Sequence, residues 1–483
     1  MRKDRSGEDM SMNTDQIQNQ VAAERFDVIV IGSGFAGLAA AIEAKRAGAS
    51  VCVIEKMKAA GGNSIISDGG IAVPASQAQA EQHIQDSKEL FYQDMMRAGL
   101  YCNQPALVRT LADGANDAFE WSKSYLGVPY LEKIEIFGGH SVARCFTAIG
   151  ITGGTIIKQM LLKIRELGIP ILYQHKFLSF LNDQNGTIIG VRALKNYEYA
   201  NSNVGEEINI FAERGIVLAT GGFGADVAFR QALDPRLDET IDTTNKPFAT
   251  SEALHEALRI GAQPVDLSKV QLGPWASPDE KGYGVGPYFS EYVVFQYGVV
   301  VDPETGKRFC NELADRKTLA DAMLTIGHPC VGIADKACVE QSGWSIENCL
   351  KKGVVKSFDS IESLAEEYNI PNESLKQTIE AYNLSVQTGA DLLFDKPILK
   401  NAPKIQTPPY FAMRLWPKVH FTMGGVGISE RAEVLDRDDN PIPHLFAAGE
   451  VTGGVHGASR LGSCSITDCL VFGRIAGKNA AGN

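Results

Sequence analysis

Three glycines with a fixed spacing, Gly32-x-Gly34-x-x-Gly37, follow an apolar run, and the acidic Glu55 ends the next apolar run. Glycines at this spacing allow a tight turn and let the backbone approach a pyrophosphate, which the N-terminus of the following helix attracts. A carboxylate about twenty residues further on accepts hydrogen bonds from ribose hydroxyls. The pattern of strand, turn, helix, strand and acid therefore predicts a dinucleotide site.

Two further glycine-rich loops indicate which dinucleotide binds. One covers residues 61–71 (GGNSIISDGGI), and the other covers residues 447–457 (AAGEVTGGVHG), where Glu450 is placed to bind ribityl hydroxyls. Three separated loops along one extended ligand favour FAD, because NAD needs only the first. The residues that we predict to contact FAD are Gly32, Gly34, Phe35, Ala36, Gly37, Glu55, Lys56, Gly62, Asn63, Ser64, Gly69, Gly70, Ile71, Phe177, Ala219, Thr220, Gly221, Glu252, Gly449, Glu450, Ser465 and Ile466.

The order of the predicted elements places these loops on a parallel sheet. FDVIVIG, SVCVIEK, GIVLATGG and HLFAAGE read as buried strands, helices are predicted over residues 36–47 and 463–480, and Asn185-Gly186 predicts a hairpin turn. From about residue 265 to 418, Pro- and Gly-rich loops alternate with short amphipathic helices, which indicates an insertion. The predicted fold is α/β, a Rossmann-like FAD-binding domain with an inserted α+β capping domain. The predicted boundaries are a disordered N-terminal segment over 1–22, the FAD-binding domain over 23–266 and 419–483, and the capping domain over 267–418.

Composition excludes several classes of partner. The 483 residues include 46 Lys and Arg against 58 Asp and Glu, and this net charge of -12 argues against nucleic acid and anionic membrane surfaces. No export signal and no apolar run long enough to span a bilayer stand out, so we expect a cytoplasmic protein without membrane insertion. The nine cysteines and eight histidines show no metal-ligand spacing, and no CxxCH motif is present, which excludes covalent haem c on this chain.

Three longer segments carry a resemblance to a known family. They are residues 306–322 (GKRFCNELADRKTLADA), 419–426 (VHFTMGGV) and 448–468 (AGEVTGGVHGASRLGSCSITD). Together with the glycine loops they resemble the soluble fumarate reductase flavoproteins, within the group that includes succinate dehydrogenase flavoprotein subunits, urocanate reductase and 3-ketosteroid dehydrogenases. The resemblance covers nearly the whole chain from residue 26 to 482. It implies that Arg316 donates a proton and that His420 and Arg460 bind a substrate carboxylate.

The chemistry that this resemblance implies needs these residue types. Reduction of an α,β-unsaturated carboxylate requires a hydride from reduced flavin at the β carbon, a proton at the α carbon and a clamp for the carboxylate. Arg460 can bind the carboxylate bidentately and His420 can add a hydrogen bond. A guanidinium is a weak acid, yet the carbanion that Arg316 would protonate is a much stronger base. We therefore expect an FAD-dependent oxidoreductase acting on CH–CH bonds, an enoate reductase, with a separate electron donor: a cytochrome, a reduced flavin or NAD(P)H.

This chain departs from the fumarate reductase pattern in the proton relay. The Thr-Glu pair of the family corresponds to Ser290-Glu291, and the next arginine of the relay falls near Val294. We include Ser290 and Glu291 among the catalytic residues. The remaining routes for proton resupply to Arg316 are Glu291 alone, Tyr292, Tyr297 and water.

A second departure concerns the substrate. Gly273 stands where the fumarate reductases carry a histidine for a second carboxylate, which weakens the case for fumarate. The surrounding region is instead aromatic, with Trp275, Tyr283, Tyr288, Tyr292, Phe295 and Tyr297. These residues form either the small core of the cap or a wall of the site. In the second case the substrate is a mono-carboxylate with an apolar or aromatic tail, such as an acrylate, a methacrylate or a cinnamate-like acid.

Three alternative functions remain at this stage. The first is a 3-ketosteroid dehydrogenase acting on a steroid ring C–C bond, the second is fumarate reductase proper, and the third is a flavin-binding electron carrier. Retention of Arg316, His420 and Arg460 counts against the first and the third. The position where membrane-bound relatives attach FAD through histidine reads Asn63-Ser64-Ile65-Ile66 here, so we expect non-covalent FAD.

Overall fold

The computed structural model describes residues 24–201 and 204–482. Its strands are β1 (Glu24–Ile31), β2 (Val51–Glu55), β3 (Gly70–Ala72), β4 (Tyr130–Glu135), β5 (Cys145–Ala148), β6 (Ile171–Tyr173), β7 (His175–Asn182), β8 (Ile188–Lys195), β9 (Glu206–Leu218), β10 (Pro264–Val265), β11 (Val270–Gly273), β12 (Val299–Asp302), β13 (Lys307–Arg308), β14 (Cys330–Asp335), β15 (Lys356–Phe358), β16 (Tyr410–Leu415), β17 (Lys418–Thr422), β18 (Gly425–Val426), β19 (Glu433–Leu435) and β20 (Pro441–Ala447). Its α-helices are α1 (Phe35–Arg46), α2 (Gln77–Glu81), α3 (Lys88–Ala98), α4 (Pro105–Glu120), α5 (Gly153–Glu166), α6 (Val227–Leu233), α7 (Glu252–Arg259), α8 (Pro287–Phe289), α9 (Phe295–Tyr297), α10 (Arg316–Ile326), α11 (Lys336–Ser342), α12 (Glu347–Lys351), α13 (Ile361–Glu367), α14 (Asn372–Thr388) and α15 (Cys464–Ala480). A 3₁₀ helix covers Gly62–Ile66, and π-helical turns cover Trp121–Tyr125 and Ser290–Val294.

The largest sheet is parallel at its centre. Its strand order is β19-β20-β9-β1-β2-β6, and β1 pairs in parallel with both β2 and β9. Helices α1 and α15 pack against each other and against this sheet. They approach closely, because a Cβ on Gly473 would lie 2.6 Å from the carbonyl oxygen of Ala36 and one on Gly477 would lie 2.1 Å from that of Ala40. This arrangement confirms the predicted α/β fold with a Rossmann-like core.

The predicted hairpin is present, with one difference at its start. Strands β7 and β8 pair antiparallel, and the turn between them contains Asn185 and Gly186. The apolar run that precedes the turn does not form one strand, however. Gln174 adopts a φ of 57° and divides the run, so that β6 joins the parallel sheet beside β2 while β7 belongs to the hairpin. A left-handed residue breaks strand geometry, and hydrophobicity alone did not reveal it.

A second sheet lies within the predicted insertion. Its five strands, in the order β13-β12-β14-β16-β15, are antiparallel and cover a hydrophobic cluster of their own with helices such as α14. The chain leaves the first body through β11 and returns through β17, and these two strands pair antiparallel. Two antiparallel strands therefore connect the α+β insertion to the first body. The residue boundaries 267 and 418 stay predictions.

The predicted disordered segment over residues 1–22 lies outside the described residues. All nine cysteines are free thiols. None of the helices within residues 24–201 and 204–482 combines the length and the apolar character that crossing a membrane requires.

Candidate active site

The turn between β1 and α1 depends on close backbone contacts. Gly32 has a φ of 102°, and a Cβ at this position would lie 2.4 Å from the carbonyl oxygen of Ala219. A Cβ at Gly37 would lie 2.0 Å from the carbonyl oxygen of Gly32. Only glycine fits both positions. The first residues of α1 consequently line a cleft at the end of the sheet, where a helix N-terminus binds phosphate groups.

Glu55 ends β2 beside this turn and lines the same cleft. Its carboxylate accepts hydrogen bonds from the hydroxyl of Ser33, at 2.5 Å, and from the backbone N–H of Met57, at 2.8 Å. Its role as an acceptor for ribose hydroxyls stays a prediction. Sequence reasoning missed Ser33, although its position inside the glycine turn was a usable signal.

This cleft, of about 1010 Å³, continues into an inner cavity of about 790 Å³. The two share the lining residues Phe35, Asn63, Ser64, Glu450 and Cys469, so together they form one elongated groove. The predicted FAD contacts that line its first part are Gly32, Gly34, Phe35, Ala36, Glu55, Lys56, Asn63, Ser64, Phe177, Ala219, Thr220, Gly221, Glu252, Gly449 and Glu450. Gly70, Ser465 and Ile466 line the inner cavity.

Four predicted contacts do not line the groove, namely Gly37, Gly62, Gly69 and Ile71. Ile71 is fully buried in β3, and a Cβ at Gly69 would lie 2.9 Å from the carbonyl oxygen of Thr152. Gly62 adopts a φ of 48°, in the region that favours glycine. These residues shape the loops that carry the groove instead of lining it.

The groove fits FAD by its own geometry. Its length accommodates an extended ligand, with the glycine turn and Glu55 at the first part and Glu450 where the two parts meet. Burial raises the pKa of Glu450 to about 7, while the backbone N–H of Thr422 donates to its carboxylate at 3.0 Å. A carboxyl of this kind can accept from or donate to a ligand near neutral pH. FAD held there supplies hydride-transfer chemistry next to the inner cavity.

Arg316, His420 and Arg460 meet at the inner cavity, as the sequence predicts. Arg316 begins α10, His420 lies in β17 and Arg460 lies in the loop before α15. A cation at a helix N-terminus opposes the helix dipole, and here the Asp315 carboxylate caps the same helix by accepting from the N–H of Lys317 at 3.0 Å. Helix α10 therefore contributes one arginine to the site, and His420 and Arg460 come from other segments of the chain.

Arg316 is held by one ion pair and keeps part of its guanidinium unused. Its Nη2 donates to Glu291 at 2.8 Å, and about 10% of its side chain is exposed. Burial opposes its charge, but the Glu291 carboxylate outweighs burial and raises the pKa of Arg316. Burial also disfavours the charged form of Glu291 and so raises the pKa of this carboxyl. The buried Nη1 of Arg316 has no hydrogen-bond partner among the described residues, so this nitrogen is available to a ligand.

Arg460 is 3% exposed and lies over the ring of Phe421, with its Cζ 4.6 Å from the ring centroid. Its Nη1 donates to the carbonyl oxygen of Leu461 at 3.0 Å, and its Nε has no partner in the part of the chain that the structure describes. Burial, together with repulsion from Arg316, lowers its pKa to about 10. Because burial and repulsion both disfavour the charged form of Arg460, a negatively charged ligand beside it would stabilise that form.

His420 is uncharged at neutral pH. Burial and the positive charges of Arg316 and Arg460 hold its pKa well below the usual value. Its Nδ1 lies 2.8 Å from the hydroxyl of Thr244, and its backbone carbonyl accepts from Asn245 at 3.0 Å. A threonine hydroxyl that donates to Nδ1 leaves the ring proton on Nε2, where it can be donated to a carboxylate. Thr244 was missed because nothing in its local sequence marks it.

The comparisons with known proteins identify the family. Residues 27–466 match the family described as FAD binding domain. The chain belongs to this family. The acrylate reductase flavoprotein subunit of Shewanella woodyi is 41% identical over 461 residues, which cover 94% of this chain and 90% of that protein.

Two solved structures show the same fold. The open conformation of a flavocytochrome c3 fumarate reductase is 32% identical and has a TM-score of 0.76, covering 99% of this chain and 82% of that one. A 3-ketosteroid-Δ4-(5α)-dehydrogenase from Rhodococcus jostii RHA1 has a TM-score of 0.75 and covers 97% of this chain and 99% of that one. Its sequence is 24% identical to that of this chain, so the match indicates a shared fold only.

These findings confirm the predicted family, its FAD cofactor and the enzyme class: this member of the FAD binding domain family is an FAD-dependent oxidoreductase acting on CH–CH bonds. The roles assigned to single site residues stay predictions, as does non-covalent attachment of FAD. Asn63, at the position in question, is engaged with Asn245 at 2.6 Å and with the backbone N–H of Lys246 at 2.8 Å.

In this flavoprotein the structure narrows the predicted proton relay. The hydroxyl of Ser290 donates to the backbone carbonyls of Trp275, at 2.7 Å, and of Gly286, so it is directed away from the Arg316 and Glu291 pair. It supports the π-helical turn that presents Glu291. Val294 is fully buried and apolar, and therefore cannot extend a relay.

The two tyrosines proposed for the relay lie in different surroundings. Tyr292 donates through its hydroxyl to Asp68 at 3.1 Å, and Asp68 lines the inner cavity. Tyr297 packs into the hydrophobic cluster of the insertion. Glu291 is the one of these groups that touches Arg316.

The aromatic residues divide between the two interpretations left open by the sequence. Trp275 and Tyr283 line the inner cavity and also pack in the insertion's hydrophobic cluster, whereas Phe295 and Tyr297 belong to that cluster without lining the inner cavity. Phe421, which also lines the cavity, was not singled out because it follows His420 in a strand and reads as an ordinary core residue.

Proposed function

We propose that this flavoprotein reduces the C=C bond of an α,β-unsaturated mono-carboxylate with an apolar tail. FAD held in the groove and reduced by a separate donor would supply a hydride for the β carbon. Arg316 supplies the proton that adds to the α carbon, and the C=C bond becomes a C–C bond. The observation that carries the proposal is the pair of buried guanidinium groups with unpartnered nitrogens at a cavity continuous with the FAD groove.

The carboxylate clamp follows from the same geometry. Arg460 and the Nε2–H of His420 bind the substrate carboxylate, and this role requires the Thr244 hydroxyl to donate to Nδ1, which lies 2.8 Å away. Negative charge develops on this carboxylate as the hydride arrives, so preorganised donors that are already desolvated stabilise the transition state more than water does.

Proton transfer uses the buried ion pair. Arg316 gives up a proton to a carbon base that is far stronger than a guanidine, and Glu291, at 2.8 Å, returns a proton to it from solvent. The raised pKa of Glu291 makes this carboxyl a better proton carrier near neutral pH than an exposed glutamate.

The lining of the cavity supports one carboxylate and an apolar tail. Its only cationic or imidazole side chains among the described residues are Arg316, His420 and Arg460, and Trp275 and Tyr283 lie nearby. A second carboxylate would therefore lack a partner, which argues against fumarate. The relative named an acrylate reductase supports a small mono-carboxylate.

The alternatives fit less well. A steroid dehydrogenase needs a tyrosine that exchanges a proton at a ketone, but burial raises the pKa of Tyr283 well above its usual value, and a carboxylate clamp would have no use. An electron carrier needs no buried arginine with free nitrogens.

The test is an anaerobic assay of the FAD-loaded protein. Reduced viologen dye is oxidised by acrylate, methacrylate, cinnamate, fumarate and a 3-ketosteroid in turn, with Arg316→Ala and the surface control Arg236→Ala in parallel; Arg236 is exposed and pairs with Asp234. We expect rapid oxidation by a mono-carboxylate, lost by about 10²–10⁴-fold in Arg316→Ala and retained in Arg236→Ala. Oxidation by the steroid alone, or equal rates in both variants, would refute the proposal.

A further inference from the structure

Trp275 occupies the space beside Gly273 at the wall of the inner cavity. A Cβ on Gly273 would lie 2.8, 2.9 and 3.1 Å from three atoms of the indole ring. Gly273 lies in β11 without a positive φ, so its backbone does not require glycine. The absent side chain instead makes room for the indole, and the two residues form a matched pair.

The indole is held by the residues that bind the substrate. Its ring centroid lies 4.7 Å from that of His420, 5.4 Å from that of Tyr283 and 5.6 Å from the Cζ of Arg316. Trp275 is 1% exposed, and its Nε1–H has no acceptor among the described residues. A buried indole packed on these sides cannot move aside without disturbing the carboxylate clamp.

Behind the indole lies a smaller cleft, lined by Glu291, Phe295 and Leu319 among others. Trp275 and Arg316 line both this cleft and the inner cavity. The indole and the side chain of Arg316 thus lie between the two spaces.

We propose that Trp275 sets the length of the substrate tail and restricts the enzyme to α,β-unsaturated mono-carboxylates with a small β substituent. The inference rests on the proposed function and concerns specificity within it. A tail longer than the cavity must displace the indole, whereas removal of the ring joins the two cavities and admits the tail. One methylene in an apolar pocket changes discrimination by about 10- to 200-fold.

The test compares kcat/KM of FAD-loaded wild type, Trp275→Ala and Trp275→Phe for acrylate, crotonate and 2-hexenoate, with reduced dye as electron donor. The control is Phe411→Leu, a truncation in the insertion's own core at a residue outside both cavities. In the wild type we expect kcat/KM to fall at least 10-fold from acrylate to 2-hexenoate. The ratio of 2-hexenoate to acrylate should rise at least 10-fold in Trp275→Ala and by less in Trp275→Phe, and it should not change in the control.

The measured quantity is a ratio of two kcat/KM values for the same variant. A general loss of activity or of folded protein therefore leaves this ratio unchanged. Equal wild-type turnover of 2-hexenoate and acrylate would overturn the role of Trp275, as would an unchanged ratio in both FAD-loaded Trp275 variants. If wild type reduces no enoate at all, the proposed function itself fails, and this outcome is distinct from the other two.

Discussion

Replacement of Arg460 by methionine separates the catalytic value of this arginine from its cost to stability. The pKa of Arg460 falls on folding from the ordinary arginine value to about 10, so the buried charge costs about 3 kcal/mol at pH 7. Because the pKa of this base is lowered, the penalty is fully present at pH 7 and disappears only as the pH rises above 10. Arg460→Met removes the penalty but also removes the hydrogen bond to Leu461 and the contact with Phe421, each worth about 1 kcal/mol. The free energy of unfolding should therefore stay within about 1 kcal/mol of the wild-type value or rise.

The catalytic activity of Arg460→Met should fall, although its stability does not. Two charge-assisted hydrogen bonds to the substrate carboxylate are worth about 3–6 kcal/mol together, so kcat/KM should fall about 10²–10⁴-fold. The measurement pairs urea denaturation of the FAD-loaded protein with the dye assay, and Arg236→Met is the control. A loss of several kcal/mol in stability, or a fall in kcat/KM of less than about 10-fold, would show that Arg460 is structural.

Three further predictions follow from the same site. Glu291→Gln keeps the shape of the side chain but cannot carry a proton, so kcat should fall about 10²-fold or more with KM little changed, and a matching rise in KM would contradict its role in proton supply. The pKa of Glu450, about 7 in the fold against an ordinary 4.5, predicts that its contribution to stability is lost between about pH 4.5 and pH 7 as its proton leaves; urea denaturation should find Glu450→Gln more stable than wild type by up to about 3 kcal/mol at pH 8 and equal to it at pH 4. Acid precipitation should leave the flavin in the supernatant, because the region of Asn63 holds no histidine, and flavin in the pellet would contradict this expectation.

The nucleotide half of the site could be predicted because its signals are local. The glycines of the first turn, the buried strands and Glu55 lie within one βαβ unit, where spacing along the chain fixes spacing in the fold. The catalytic roles predicted for Arg316, His420 and Arg460 came from the resemblance, and the structure places all three residues at one cavity.

The rest of the site depends on contacts between distant segments. Thr244 reaches His420 across 176 positions of sequence, and Tyr292 reaches Asp68 across 224. Neither contact has a periodic or local signature. For Ser290 the local sequence was misleading. Its place beside Glu291 suggested a part in the proton relay, but its hydroxyl donates to backbone carbonyls.

The charges around the inner cavity bear on the proposal that the substrate carries one carboxylate. Arg316 is paired with Glu291, and His420 is uncharged at neutral pH. Arg460 makes no ion pair within the described part of the chain, although the carboxylates of Asp68 and Glu450 line the same cavity. The proposed mono-carboxylate would bind directly against this guanidinium. A second carboxylate would add a negative charge to a cavity that Asp68 also lines, and it would be buried without compensation, at a cost of several kcal/mol. The proposed selectivity against dicarboxylates therefore rests on charge as well as on the space that the indole of Trp275 fills.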